Sequence, residues 1–329
     1  MTIKDLARET GYSVGTISRV LNGQPNVSEK ARVTILACAE KRGFQLNTNA
    51  KQLKQQHGDS ILAVVTGKSN EMFARMIEYI QRELSQTRYP LVVDYVEETG
   101  DAVAQAVRLV REKKPLGILF LGGDARFFEG SFGAIKVPSV VLTADASELG
   151  FSNLSSVTTD DTAAARCAIE HLISCGHKNI GVISGDLSRP GMSRLRYEGC
   201  RQAIEDHGLQ LPEERCATVR YSFSGGYSAA QQLLEQTGIT AIFAMSDVMA
   251  IGAIRALRDK GLRVPEDIAV VGFDGLELGE YYVPKLTTIR QQTDLLAQRG
   301  VALLLQMIEE QGASRHEMLP FELSVNGST

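Results

Sequence analysis

From Ser60 onward the chain alternates between short apolar runs rich in Val, Ile and Leu and amphipathic stretches of helical period. The runs Ile61 to Thr66, Leu91 to Val96, Leu116 to Leu121, Val137 to Leu142, Asn179 to Ser184, Thr240 to Met245 and Asp267 to Gly272 read as buried parallel strands. Helices are expected between them at 71–87, 101–113, 161–175, 193–207, 225–236 and 247–260. Strand and helix in alternation build an α/β, doubly wound body with helices on both faces of each sheet. The roughly 270 residues available exceed what one such sheet usually holds, so two similar lobes are expected.

The first 60 residues have a different texture. Thr2 to Thr10 is short and amphipathic, with Asp5 three residues after Thr2 as in a capping box and Gly11 as a stop. A second short helix follows Ser13, with Ile17, Val20 and Leu21 set to pack on Leu6 and Ala7, while Gly15, Thr16, Ser18, Arg19 and Asn22 lie on the other face. Ser28 caps a third helix to about Arg42, with Ala31, Ile35, Leu36 and Ala39 expected to face inward. Two short helices across a tight turn, closed by a third, form a helix-turn-helix head. Beyond it, 47–56 is polar except for Leu53, and a helix that short is marginal in water by itself.

Charge divides the chain at the same place. Residues 1–58 carry nine Lys and Arg against four Asp and Glu, a net of +5, whereas the remainder carries a net of −9. A basic head on an acidic body suits a polyanion-binding module joined to one that does not bind nucleic acid. No apolar run approaches the roughly 20 residues that span a bilayer, and Lys4, Asp5, Arg8 and Glu9 interrupt any signal-peptide core, so a cytoplasmic protein is expected. The five cysteines are scattered, without a C-x-x-C pair, and read as free thiols in a reducing compartment.

Catalytic motifs are missing: no G-x-G-x-x-G opens a helix, and there is no phosphate-binding P-loop, nucleophile elbow or H-E-x-x-H. Gly122-Gly123 reads as an ordinary loop after a strand. Cys167, His171 and Cys175 span two helical turns, which sets the outer sulfurs about 12 Å apart, too far for one zinc ion. Neither a metal, a cofactor nor an enzymatic activity is expected.

Several segments together carry a family resemblance. Thr2-Ile3-Lys4-Asp5-Leu6-Ala7, Thr16-Ile17-Ser18-Arg19-Val20-Leu21-Asn22 and Val27-Ser28-Glu29 in the head resemble the lactose-repressor (LacI/GalR) family of bacterial transcription regulators. In the body, Gly176-His177-Lys178-Asn179-Ile180, Arg196-Tyr197-Glu198-Gly199, Ser246-Asp247-Val248-Met249-Ala250-Ile251-Gly252, Val264-Pro265-Glu266-Asp267-Ile268, Gly272-Phe273-Asp274 and Leu286-Thr287-Thr288-Ile289 match in order. The resemblance implies a repressor that binds a near-palindromic double-stranded operator as a homodimer and answers to a small sugar-like effector.

For DNA it implies that the second helix enters the major groove. Val14 and Gly15 would stand at the positions that vary with operator sequence, and Thr2, Ser13, Thr16, Ser18, Arg19 and Asn22 would touch phosphates or base edges. Arg19 is the candidate for a bidentate guanine contact. Asn47 and Ala50-Lys51-Gln52-Leu53 match the family's hinge helix, with Leu53 as the minor-groove wedge. Lys51 stands where arginine is common, Leu46 replaces a frequent proline, and Glu71 replaces another in the first pocket loop.

For the body the resemblance implies a periplasmic-binding-protein-like fold, two lobes joined by three crossovers around an effector cleft. Asn70, Phe73, Asp160, Arg196, Tyr221, Ser246 and Asp274 are the pocket residues carried over by motif. Asp274 and Arg196 suit vicinal hydroxyls, and Tyr221 offers a flat apolar face. Asp160 is equally suited to capping the helix that starts at Asp161, and Arg189 and Arg194 allow either a phosphorylated effector or a solvated loop.

The expected divisions are a head at 1–46, a hinge at 47–58 and a body at 59–329, its first lobe near 59–159 and 290–318 and its second near 160–289 and 319–329. With no leucine heptads after Pro320 to Thr329, a dimer is expected in place of the tetramer some relatives form. A sugar-binding transport protein shares such a body but predicts a signal peptide and no basic head. A hydrolase predicts a nucleophile and base in the cleft, and none is found.

Overall fold

The structure is a computed structural model that describes residues 3–21, 27–42, 58–67, 70–123, 125–188, 190–236 and 238–329. It divides into two compact units, 1–57 and 58–329.

In the first unit, α1 (Ile3–Thr10), α2 (Val14–Leu21) and α3 (Glu29–Lys41) enclose a core of Leu6, Ile17, Val20, Ala31, Ile35 and Ala39. Gly11 ends α1 at φ 74, a conformation that costs an L side chain energy, and its amide bonds the Ala7 carbonyl at 3.0 Å. Ser28 caps α3 through the Ala31 amide, and the Arg42 guanidinium clasps Glu9 on α1 at 2.8 Å. Leu36 departs from expectation: it is 45% exposed, because the inward stripe of α3 is already filled by Ala31, Ile35 and Ala39.

The second unit contains two six-stranded sheets. The first has the order β11-β5-β4-β3-β1-β2, from β1 (Ile61–Thr66), β2 (Leu91–Val96), β3 (Gly117–Leu121), β4 (Ser139–Leu142), β5 (Leu154–Thr159) and β11 (His316–Leu319), all parallel. Helices α4 (Glu71–Leu84), α5 (Ala102–Lys113) and α6 (Ala125–Ser131) follow its first three strands. The second sheet, β12-β10-β9-β8-β6-β7, comprises β6 (Ile180–Ser184), β7 (Cys216–Thr218), β8 (Ala241–Ala244), β9 (Ala269–Asp274), β10 (Thr287–Gln291) and β12 (Phe321–Ser324). Only β12 runs antiparallel, against β10. Its helices are α7 (Asp161–Ser174), α8 (Met192–Asp206), α9 (Phe223–Leu233), α10 (Asp247–Asp259) and α11 (Glu277–Tyr281). The chain passes between the lobes at 159–161, 291–293 and 319–321.

Two elements lie outside the apolar-run pattern. Strand β5, Leu-Ser-Ser-Val-Thr-Thr, is buried throughout although four of its six residues carry hydroxyls, because β4 and β11 flank it. Helix α12 (Thr293–Glu309) buries Leu296, Ala297, Val301, Leu303, Leu304 and Met307 in the core of the first lobe.

Candidate functional site

The polar face of α2 is displayed to solvent. Ser13 Oγ accepts from the Thr16 amide at 3.1 Å and pairs with Thr16 Oγ1 at 2.9 Å, so both hydroxyls organise the start of the helix. Ser13, Val14, Gly15 and Arg19 are exposed, Thr16 and Ser18 are half-buried, and Ile17 and Val20 anchor the opposite face in the core. Arg19 makes no hydrogen bond or ion pair with a described residue. Thr2, Asn22, Asn47, Ala50, Lys51 and Leu53 lie outside the described residues.

A second constellation forms where the carboxyl edges of the two sheets approach each other, the position at which open α/β sheets hold ligands. Arg196 on α8 is 3% exposed. Its Nε donates to Asp161 Oδ1 at 2.7 Å, its Nη1 to the Met245 carbonyl at 2.6 Å, and its plane lies 3.6 Å from the centre of the Phe273 ring. Asp274 Oδ1 is 4.0 Å from Nη1. Burial alone disfavours the guanidinium charge, but Asp161, Tyr221 and Asp274 outweigh it and hold Arg196 above its usual value. Burial pushes the Asp274 carboxyl up to about 6, against the opposing pull of Arg196 and Gln291. It also raises Asp161, again opposed by Arg196.

Tyr221 pairs its hydroxyl with Ser193 Oγ at 2.9 Å, and both crowd Gly185 so closely that a Cβ there would collide with them. Arg196, Tyr221 and Asp274 are thus brought together. Asn70, Asp160 and Ser246 share a structural duty. Each begins a helix, and their side-chain oxygens accept from the amides of Phe73, Ala163 and Met249 at 3.1, 2.9 and 3.3 Å. Phe73 is buried in the core of the first lobe.

Three further residues, none of them among the pocket residues carried over by motif, complete the cleft. Gln291, at a lobe crossover, donates from Nε2 to Asp274 Oδ1 at 2.9 Å and lies 3.4 Å from Met72 Sδ on α4, so it touches both lobes. Asp161 is the buried partner of Arg196; an acidic residue at a helix start, two positions before the apolar run, is the sequence signal. Asp247 accepts from Thr288 Oγ1 at 2.5 Å and from the Leu276 amide at 2.6 Å, fixing the loop after β9. Asp274 stands at φ 113, a conformation L residues rarely hold, with this network around it.

A head whose exposed α2 presents an arginine that engages no described residue, and a body with a polar cleft between two lobes, are the two parts of a ligand-responsive DNA-binding protein. Comparison with known proteins is specific. A model of the lacI family of bacterial regulatory proteins matches residues 2–47, and a periplasmic binding protein-like domain matches residues 169–329. The HTH-type transcriptional regulator MalR of Clostridium butyricum is 34% identical, over 98% of this chain and 97% of its own length. Catabolite control protein A of Priestia megaterium is 30% identical over 100% and 99%. A lac repressor dimer bound to operator and the anti-inducer ONPF superposes with a TM-score of 0.81 at 29% identity, covering 100% of this chain and 98% of that one.

The chain belongs to the lacI family and is a DNA-binding transcriptional regulator. The alternative of a transport protein fails on the head, which matches the family's DNA-binding domain over residues 2–47.

Proposed function

We propose that this regulator represses transcription as a homodimer on a palindromic operator and is switched by a small sugar-like effector held in the inter-lobe cleft. The observation that supports it most strongly is α2, whose exposed Arg19 and capped polar face extend from a buried Ile17 and Val20 anchor. Ser13, Thr16, Ser18 and Arg19, with Thr2 and Asn22, face the major groove, while Val14 and Gly15 vary with the operator. Asn47, Ala50, Lys51 and Leu53 take the hinge role, Leu53 as the wedge. Arg196, Tyr221 and Asp274 hold the effector, with Asn70, Phe73, Asp160 and Ser246 forming the helix starts and walls around it.

Closure of the lobes over the ligand changes the spacing of the paired hinges. A regulator of this kind works in the cytoplasm, and no described helix is long and apolar enough to cross a membrane. It needs no catalytic step. Titrating the full chain on operator-like DNA at several salt concentrations tests the reading: affinity falls steeply with salt as phosphate contacts release counterions, and a flat response overturns it.

A further inference from the structure

Two apolar side chains of the second lobe are buried in the core of the first. Around them in sequence, Met249 and Ala250 of α10, Phe273 of β9 and Leu286 before β10 all pack in the second lobe's own core. Val248 and Leu276 do not. They join the apolar cluster of the first lobe, which includes Met72, Phe73 and Met76 of α4 and Leu296 of α12, and every other described member of that cluster belongs to the first lobe. Leu276 is buried there and Val248 half-buried.

The second lobe is built to present these two side chains. Asp247, fully buried at the start of α10, accepts from the Leu276 amide at 2.6 Å and from Thr288 Oγ1 on β10 at 2.5 Å, so one carboxylate ties the residue before Val248 to Leu276 itself. A buried carboxylate is tolerated only with such partners, which makes the tie hard to break. Glycines make room for it. A Cβ on Gly272 of β9 would lie 2.3 Å from Asp247 Oδ1, and Gly275, at φ 73, turns the chain just before Leu276 where a Cβ would meet Arg290. The Leu276 carbonyl then accepts from the Gly279 amide at 3.0 Å. Beside this anchor Gln291 reaches Met72 Sδ at 3.4 Å, and Arg75 approaches Glu277 at 3.7 Å, an exposed pair that contributes little by itself.

We propose that Val248 and Leu276, seated by Asp247, form an apolar joint that holds the two lobes at one angle. Three crossovers tie the lobes covalently but allow them to rotate, as in hinge closure generally. The joint opposes that rotation, because opening the lobes exposes two apolar side chains and the first-lobe surface that they cover. The lobe angle is the quantity that the proposed effector would change, so the joint sets its starting point; the contacts themselves do not depend on that reading.

Hydrogen exchange read by mass spectrometry, with small-angle X-ray scattering, tests this on the full chain. Leu276→Asn puts an amide into the first-lobe cluster. Exchange at 72–76 and 275–279 should accelerate at least about tenfold and the radius of gyration should rise, while β1, β3, β8 and β9 keep their protection. Val248→Thr keeps the shape and adds a hydroxyl at a half-buried place, and should act in the same direction by about threefold. Leu276→Met, still apolar and of similar volume, should restore the parent's exchange and scattering.

Parental exchange at 72–76 together with a parental radius in Leu276→Asn overturns the joint. So does loss of protection throughout β8 and β9 in both Leu276→Asn and Val248→Thr, which would make the two side chains ordinary supports of the second lobe. Asp247→Asn leaves one oxygen for the Leu276 amide and the Thr288 hydroxyl, and should free 275–279 and 72–76 together. Freeing 275–279 alone overturns the seating role of Asp247.

Discussion

The head and the cleft spend their polar side chains in opposite ways. On α2, Arg19 is exposed and unengaged by described residues, whereas in the cleft Arg196 has two charge-assisted hydrogen bonds and an aromatic face against it. One arginine is open to solvent; the other is fixed by the protein's own groups. The first design suits a long polyanion, whose phosphates and base edges provide the acceptors. The second suits a small molecule, which has few groups to offer and gains most from a site that needs no rearrangement.

The largest expected effect breaks the cleft. Asp161→Ala leaves the Arg196 guanidinium buried without its closest carboxylate, and the body should lose about 3–5 kcal/mol of stability. Urea unfolding followed by circular dichroism measures it, and a loss below about 1 kcal/mol would show that Met245 and Asp274 hold the charge unaided. At Arg19 the outcome is reversed. Arg19→Ala should leave unfolding unchanged and weaken binding to the selected operator by about 1–3 kcal/mol, read by fluorescence anisotropy. An equal loss on unrelated DNA would reduce Arg19 to a phosphate contact.

Protonation of Asp274 sharpens the same contrast. Its carboxyl titrates at about 6 in the folded chain, well above the value near 3.9 of an unfolded chain. The native state therefore binds this proton more tightly. The resulting stability is fully present below about pH 4 and is lost as pH rises through about 6. On the proposed role of Asp274, ligand hydroxyls donate to the ionised carboxylate, so effector affinity should fall about tenfold per pH unit below 6. Calorimetry between pH 5 and pH 8 checks this, and Asp274→Asn should flatten the profile; a slope that survives that substitution would assign the proton elsewhere.

The same contrast explains what could be read from the sequence. Local spacing is enough to set Ile17 and Val20 inward and Ser13, Thr16 and Arg19 outward, so the head is legible from a few turns of helix. Strands β1 and β2 are equally legible, since Ile61 to Val65 is an unbroken apolar run and Leu91 to Val96 is interrupted by a single charge, Asp94. Strand β5 is not, because its burial comes from neighbours distant in sequence. The cleft lies between these cases. Arg196 and Asp274 stand in recognisable segments, but Asp161 and Gln291 acquire their roles from contacts 35 and 17 residues away. Asn70, Asp160 and Ser246, carried over by motif, also serve as helix caps, a duty that the sequence announced at Asp160 alone.

Capping offers the finest test, because the two regions use the same residue for the same bond. Ser13 Oγ receives the Thr16 amide at an exposed helix start, and Ser246 Oγ receives the Met249 amide with 2% of the residue exposed. Removing the hydroxyl at Ser13 lets water take the freed amide, so Ser13→Ala should cost about 0.5 kcal/mol, at the low end for a lost cap. At Ser246 the amide belongs to the fully buried Met249 and stays unsatisfied, so Ser246→Ala should approach about 2 kcal/mol. Chemical denaturation of the two variants gives the ratio directly. Equal losses would mean that the buried cap finds another acceptor, and that the cleft is less completely arranged in advance than its hydrogen bonds indicate.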